Sequence, residues 1–525
     1  MKRRYSSSHK SNHTFSQVPS ANIKRSVFDR SHGFKLTFDA GLLIPVYVDE
    51  ALPGDTFRMS MTAFGRVATP IKPIMDNIIL ESFFFAVPNR LLWLNWERFC
   101  GYQDNPGDST DFTIPVVTGT DTVLEDTIYD YMGLPLNYTL NDIQPNALPF
   151  RAHNLIHNEW FRDENLKQPF DMVPGNGPDP SSRYFLSRRG KRKDYFTGCL
   201  PWPQKGDSVD LPLGISAPVV GTGAPTYNNG GADTPFSGGT GGSAGLVAHA
   251  GPEGGNFNWA DTQLEADLTN ATSATINSLR EAFQTQRLLE RDARGGTRYT
   301  EIIRAHFNVV SPDSRLQRPE YLGGGRSYIN FHSVAQNTPT GIVPDVTPQG
   351  NLSAYGTIAA MGHGFTQSFT EHMTILGFVC ARADLTYQQG LERMWSRSTR
   401  FDYFWPVFQH LGEQEVLNKE LYFDTDGLND EVFGYQERYA EYRYKPSRIS
   451  GRFRSTAATP IDIWHLAQEF TSRPVLNAEF IAETPPMDRI KAVIDEPDFI
   501  ADIQFNLRCA RPMPVYSVPG YIDHF

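Results

Sequence analysis

Between Tyr435 and Arg454, four tyrosines alternate with six Lys or Arg, against only Glu437 and Glu441. Flat rings that stack on bases, beside cations that hold phosphates, suit a surface facing single-stranded nucleic acid. The residues for that chemistry are Tyr435, Arg438, Tyr439, Tyr442, Arg443 and Lys445. Their spacing also permits a helix with Tyr435, Tyr439 and Tyr442 on one face, which a core or subunit contact explains equally well. On the residues alone both readings stand.

A second basic segment opens the chain. Residues 1–35 carry eight Lys or Arg, among them Lys2, Arg3, Arg4, Lys10, Lys24 and Arg25, and one acid, Asp29. The net charge of −11 therefore hides a body near −18. A basic, Ser-rich arm on an acidic body reads either as a tail that meets a polyanion or as a solvated terminus. Arg188–Lys193 is the densest cluster, five cations in six residues. It is expected as an exposed loop, or in contact with DNA phosphate or a neighbour's carboxylates, because like charges at that density need water or counter-charge.

Catalytic and metal chemistry find little support. His153 and His157 have the spacing of two ligands on a helix, but the segment lacks the Glu of a zinc protease and a third ligand nearby. Gly238–Gly245 has no Lys-Ser/Thr after it, no strand before it and no helix behind it, so it is not a phosphate cradle; Gly323–Arg326 fails likewise. No nucleophile elbow is present, and nothing local selects a carboxylate pair for glycoside cleavage. Cys100, Cys199, Cys380 and Cys509 lie far apart, as reduced thiols do. The expectation is a protein that is not an enzyme, with no metal and no cofactor. No apolar run reaches membrane-spanning length, and no apolar segment follows the basic start, so no membrane span or export signal is expected.

The elements that would position these residues are mostly strands. Gly and Pro make up about 15% of the chain and aromatics 12%, the balance of a loop-rich β protein. Phe34, Leu36 and Phe38 alternate with polar residues, as do Phe57, Met59, Met61 and Ala63 after a Leu52–Asp55 turn, and Phe499 through Cys509. Ile78–Val87 and Met373–Ala381 are mostly apolar and predict strands covered on both faces. Predicted helices are few: one from Thr272 or Ser273 to Arg294, stopped by Gly295-Gly296, one over Arg90–Phe99, and one over Pro149–Glu164. Between Gly221 and Gly255, twelve of 35 residues are glycine, which excludes a regular core there.

Four segments together carry a resemblance: Phe433–Arg454, Asp76–Arg90, Leu288–Arg304 and Ser311–Gly325. They resemble the major capsid proteins of gokushoviruses, small single-stranded DNA phages of the microvirus family. The likeness covers nearly the whole chain and is weakest between about 205 and 265.

The resemblance implies a mainly β fold, an eight-stranded antiparallel jelly-roll sandwich with long loop insertions and a few short helices. It implies residues 36–525 as a single capsid domain, residues 1–35 as an internal arm, and 205–265 as a surface insertion. Three such insertions would meet as a protrusion on a three-fold axis and contact a host-cell receptor. It further implies sixty copies in a T=1 icosahedral shell around circular single-stranded DNA, assembled in the bacterial cytoplasm. The implied partners are an internal scaffolding protein, a DNA pilot protein and a small basic packaging protein. The alternatives are a secreted carbohydrate-binding or carbohydrate-active β-sandwich, which leaves the basic arm unexplained, and a free single-strand-binding module, which leaves the length unexplained.

Overall fold

The computed structural model describes residues 24–207, 209, 219–221, 226–228, 234–235, 256–258, 264–266, 276–295, 301, 305–307, 317–337 and 350–516. Eight long strands dominate: β1 (His32–Phe38), β2 (Leu42–Ala51), β3 (Thr56–Val67), β4 (Ile78–Pro88), β5 (Glu320–Ala335), β6 (Leu352–Ser368), β7 (Met373–Ala383) and β8 (Phe499–Arg511). They pair antiparallel in the order β1-β8-β3-β6-β5-β4-β7-β2. First strand thus meets last, second meets seventh, third meets sixth and fourth meets fifth. That nested pairing is the order of a jelly roll, with halves β1-β8-β3-β6 and β5-β4-β7-β2 joined through β5 and β6.

The alternating strands bury one face each. Phe57, Met59, Met61 and Ala63 of β3 meet Phe499, Ile503, Phe505 and Leu507 of β8 in the sandwich core, opposite Leu80 and Phe84 of β4 and Ile375 and Val379 of β7. The predicted Leu52–Asp55 turn is present: Asp55 N donates to Leu52 O at 3.0 Å and its carboxylate accepts from Leu52 N at 2.9 Å.

As expected from their mostly apolar runs, β4 and β7 are covered on both faces. Their outward side chains Phe85, Val87, Leu376 and Phe378 form a second cluster with Trp93, Leu148, Ala152 and Ile156. Helix α1 (Leu148–Ile156) lies on this outer face and continues as a π-helical turn over His157–Phe161. Buried Arg151 anchors it, with Nε and Nη2 on the Asp179 carboxylate at 2.7 and 2.9 Å.

The helix expected over Arg90–Phe99 is instead two single turns, Asn89–Leu92 and Trp96–Phe99. Trp93 breaks it by adopting an extended backbone, which buries its ring and brings Nε1 to Asn176 Oδ1 at 2.8 Å.

Residues 202–311 form a second compact unit. It is wider than the 205–265 stretch because α2 (Ile276–Gly295) belongs to it, reached by Lys205 N donating to Leu289 O at 3.4 Å. The helix ends at Gly295, as its glycine pair predicts; the proposed caps Thr272 and Ser273 lie outside the described residues. Within the glycine-rich stretch, Thr226–Asn228 pairs with Thr234–Pro235 and Asn256–Asn258. Gly221 ends the strand Val219–Gly221, which pairs with Leu264–Ala266, and the remaining residues of the stretch lie outside the described residues.

Candidate nucleic-acid interface

The Tyr/Arg stretch is not a helix. Val432–Glu437 is a strand paired antiparallel with Glu413–Leu417, and Tyr435 also exchanges two backbone hydrogen bonds with Leu200, each 2.8 Å. Tyr439 has a left-handed backbone at φ 63°, held by its N–H on Gln414 Oε1 at 2.8 Å, and Ala440–Tyr442 is a single 3₁₀ turn. Tyr435, Tyr439 and Tyr442 therefore do not share a helical face: strand pairing takes the first and a turn the other two. Tyr439 is buried, with its ring 5.1 Å from Phe404 and 6.2 Å from Tyr442.

The cations of this stretch meet acids of the same chain. Arg443 pairs with Glu437, and Lys445 and Arg448 converge on Glu392. The Lys445 ammonium holds the Glu392 carboxyl below the usual carboxylate range, against a smaller push from burial. Arg438 lies over the Tyr439 ring at 5.2 Å. Tyr442 is half exposed, with the Arg397 guanidinium 4.4 Å above its ring while Arg397 also pairs with Glu441.

Beside this turn lies a feature that sequence reasoning missed. Trp395, Phe401, Tyr403, Phe404, Trp405 and Val407 are all exposed, Val407 by 83%. With Tyr442 and Tyr444 they form an apolar, ring-rich surface next to a cavity of about 460 Å³ lined by Trp395, Tyr442, Lys445 and Arg454. The signal was available: six aromatic residues fall between Trp395 and Phe408.

Of the arm, Lys2, Arg3, Arg4 and Lys10 lie outside the described residues. Lys24 and Arg25 are exposed, and Arg25 Nη2 donates to Thr56 Oγ1 at 2.8 Å, tying the start of the described chain to β3.

Of the readings open for Arg188–Lys193, the solvated loop fits only its ends: Arg188 and Lys193 are exposed, whereas Arg189, Lys191 and Arg192 are drawn into the body. Arg189 pairs with Glu81 and lies 4.6 Å over the Phe83 ring; Arg382 reaches the same carboxylate at 2.8 Å. Burial pushes the Glu81 carboxyl up, but the two guanidinium groups outweigh it and hold it below its ordinary value. Arg192 pairs with Asp384 and Lys193 with Asp163. Buried Lys191 donates to Gln468 Oε1 and Phe480 O at 2.8 and 2.7 Å, and burial lowers its ammonium to about 8. Counter-charges far away in sequence gather around the cluster and fold it into the body.

His153 and His157 are both buried, and His157 stacks on Phe170 with ring centroids 3.9 Å apart. No group of three or more His, Cys, Asp or Glu side chains is placed to hold a metal among the described residues. Among the same residues, no helix is long and apolar enough to cross a membrane. All four cysteines are free thiols, three of them buried.

Comparison with known proteins assigns this architecture. The family described as "Capsid protein (F protein)" matches residues 16–521. Capsid protein VP1 of Bdellovibrio phage phiMH2K is 48% identical, over 98% of this chain and 98% of that protein. Capsid protein VP1 of Chlamydia phage 1 is 45% identical over 96% and 97%, and that of Spiroplasma virus 4 is 35% identical over 99% of each. The resemblance read from the four sequence segments is borne out along the chain. A nested eight-strand sandwich, an exposed aromatic surface and a match spanning almost every residue lead to one statement: the chain belongs to the phage capsid protein (F protein) family.

Proposed function

We propose that this chain is the major capsid subunit of a gokushovirus-type phage, a structural protein of the virion rather than an enzyme. The observation that carries the reading is the family match over residues 16–521, together with relatives that bear the name capsid protein VP1. Sixty subunits close a T=1 icosahedral shell around circular single-stranded DNA. Residues 1–35 form the internal basic arm, and Lys2, Arg3, Arg4, Lys10, Lys24 and Arg25 offset part of the genome's charge. The unit around residues 205–265 forms the three-fold protrusion and contacts the host-cell receptor. An internal scaffolding protein, a pilot protein and a small basic packaging protein act with it during assembly.

The Tyr435–Lys445 stretch is better suited to subunit contact than to DNA. Arg443 and Lys445 are already paired, and Tyr439 is buried. The exposed rings between Trp395 and Trp405 supply the apolar area that neighbouring copies can bury.

Electron microscopy of the protein, purified after co-expression with its scaffolding partner, tests the reading. Uniform closed icosahedral particles are expected. Soluble monomers under those conditions would sink it.

A further inference from the structure

Helix α1 covers only part of the outer face of the β5-β4-β7 sheet. Beyond it, Phe83, Phe85, Tyr321 and Arg382 of these strands line a cavity of about 760 Å³, within the range of about 300–1,000 Å³ that holds small ligands. The segment from Trp160 to Glu164 lines it as well, and so does Arg188–Lys193. Two of its rings are open to solvent, Trp160 at 42% and Tyr321 at 43% exposure, with centroids 5.9 Å apart. Arg318 lies 5.7 Å over the Trp160 ring.

Cations outnumber the carboxylates of this cavity, and half of them have no carboxylate partner among the described residues. Eight Lys or Arg line it against Asp163 and Glu164, in a chain of net charge −11. Arg189 and Arg382 share Glu81, Arg192 has Asp384 and Lys193 has Asp163. Among the described residues, Arg162, Lys167, Arg188 and Lys191 have no carboxylate within ion-pair distance. The Nε atoms of Arg162 and Arg382 are buried without a hydrogen-bond partner among the same residues. Arg162, Lys167 and Lys191 are withdrawn from solvent while Arg188 is exposed at the edge, and cations so placed without a carboxylate favour an anion. The open rings select among anions, because a flat aromatic face at the mouth stacks a base and a guanidinium beside it takes the phosphate. A single peptide carboxylate would leave most of the charge unmatched, whereas a DNA strand brings one charge with every nucleotide.

We propose that this cavity binds a nucleotide of single-stranded DNA, with the base against Trp160 and Tyr321 and the phosphate facing Arg162 and Arg188. The proposal rests on the genome-enclosing reading above and adds a defined site, separate from both the arm and the Tyr435–Lys445 stretch.

The test uses the full-length subunit and a short fluorescent oligothymidylate, titrated at several salt concentrations, with bromodeoxyuridine photo-crosslinking mapped by mass spectrometry. R162Q/R188Q is expected to weaken binding and to flatten the log affinity–log salt slope by about 0.7, the contribution of one single-strand phosphate contact. W160L is expected to weaken binding about fivefold or more and leave that slope unchanged. Crosslinks should fall on Trp160 or Tyr321. Thermal melting of each variant confirms folding, and the two Arg→Gln changes keep the test open where W160L does not fold. Wild-type affinity and slope in R162Q/R188Q, with crosslinks elsewhere and shells that still contain DNA, would overturn the site alone. Particles that never contain DNA would overturn the genome-enclosing reading itself. Preference for polyglutamate over oligothymidylate would assign the cavity to an acidic protein segment and end the nucleotide proposal.

Discussion

His153 sits on α1 and His157 opens its π-helical turn, and burial pushes their imidazoles down from 6.5 to about 4 and about 3. The unfolded chain therefore takes up protons first as the pH falls below 6.5. Their contribution is complete above 6.5 and is lost as the pH falls toward about 4 for His153 and about 3 for His157. Glu483 works in the opposite direction. Burial raises its carboxyl to about 7, so its contribution is complete below 4.5 and fades as the pH rises through about 7. H157F keeps the stacking on Phe170 and removes one titration. Its stability should fall less steeply than wild type between pH 6.5 and 4.5, by up to ~1.4 kcal/mol per pH unit. Thermal melting across that range checks this, and equal slopes would refute it. The arm is tested at the same scale. Replacing Lys2, Arg3, Arg4, Lys10, Lys24 and Arg25 by Gln should lower packaged DNA, read as the 260/280 nm absorbance of purified particles, while the body melts as before. Unchanged DNA content would remove the arm from genome binding.

Among the strands, the glycines at 323–325 show why a motif needs its context. They lie in β5, at a register shift against β4, not in a phosphate loop. A Cβ on Gly324 would stand 2.0 Å from Ser82 O, and one on Gly325 would stand 2.3 Å from the His363 ring. That ring bridges Ser82 Oγ and Ser327 Oγ at 2.8 and 2.9 Å, so G325A must displace it and break both hydrogen bonds. We expect G324A or G325A to destabilise the subunit by roughly 2–4 kcal/mol, read as lost soluble yield and a lower Tm. A wild-type Tm would show that β4 and β6 can move apart without cost.

The strands themselves were legible, because alternation in β3 and β8 and mostly apolar runs in β4 and β7 are local patterns. Their order was not: β1 finds β8 more than 460 residues away, and only the family resemblance supplied that pairing. The Tyr435–Tyr442 spacing misled for a similar reason. The partner strand Glu413–Leu417 and the Gln414 contact override a spacing that a helix would also satisfy. Arg188–Lys193 looked solvated because its counter-charges, Glu81, Asp163 and Asp384, are scattered along the chain.

At the scale of the whole molecule, a surface with six exposed large apolar residues between Trp395 and Val407 is costly for an isolated subunit and useful for one that meets copies of itself. W395A/W405A should therefore leave a folded, soluble subunit that fails to close shells. Sedimentation and electron microscopy read this directly, and normal particles from the double variant would place the subunit contact elsewhere. Deleting Gly221–Gly255 should have the complementary effect: intact particles that no longer adsorb to host cells. Unchanged adsorption would remove this stretch from attachment.

The pairing of β1 with β8 has a consequence for how the subunit is made. β8 lies between β1 and β3, so one edge of each pairs with a strand that ends at Arg511. While the chain is still on the ribosome, Phe38, Phe57 and Met61 have no Phe499 or Phe505 to cover them. Half of the sandwich therefore closes only after almost the whole sequence has been translated. A prematurely terminated chain cannot present a finished surface to its neighbours, so synthesis itself screens incomplete subunits out of the growing particle.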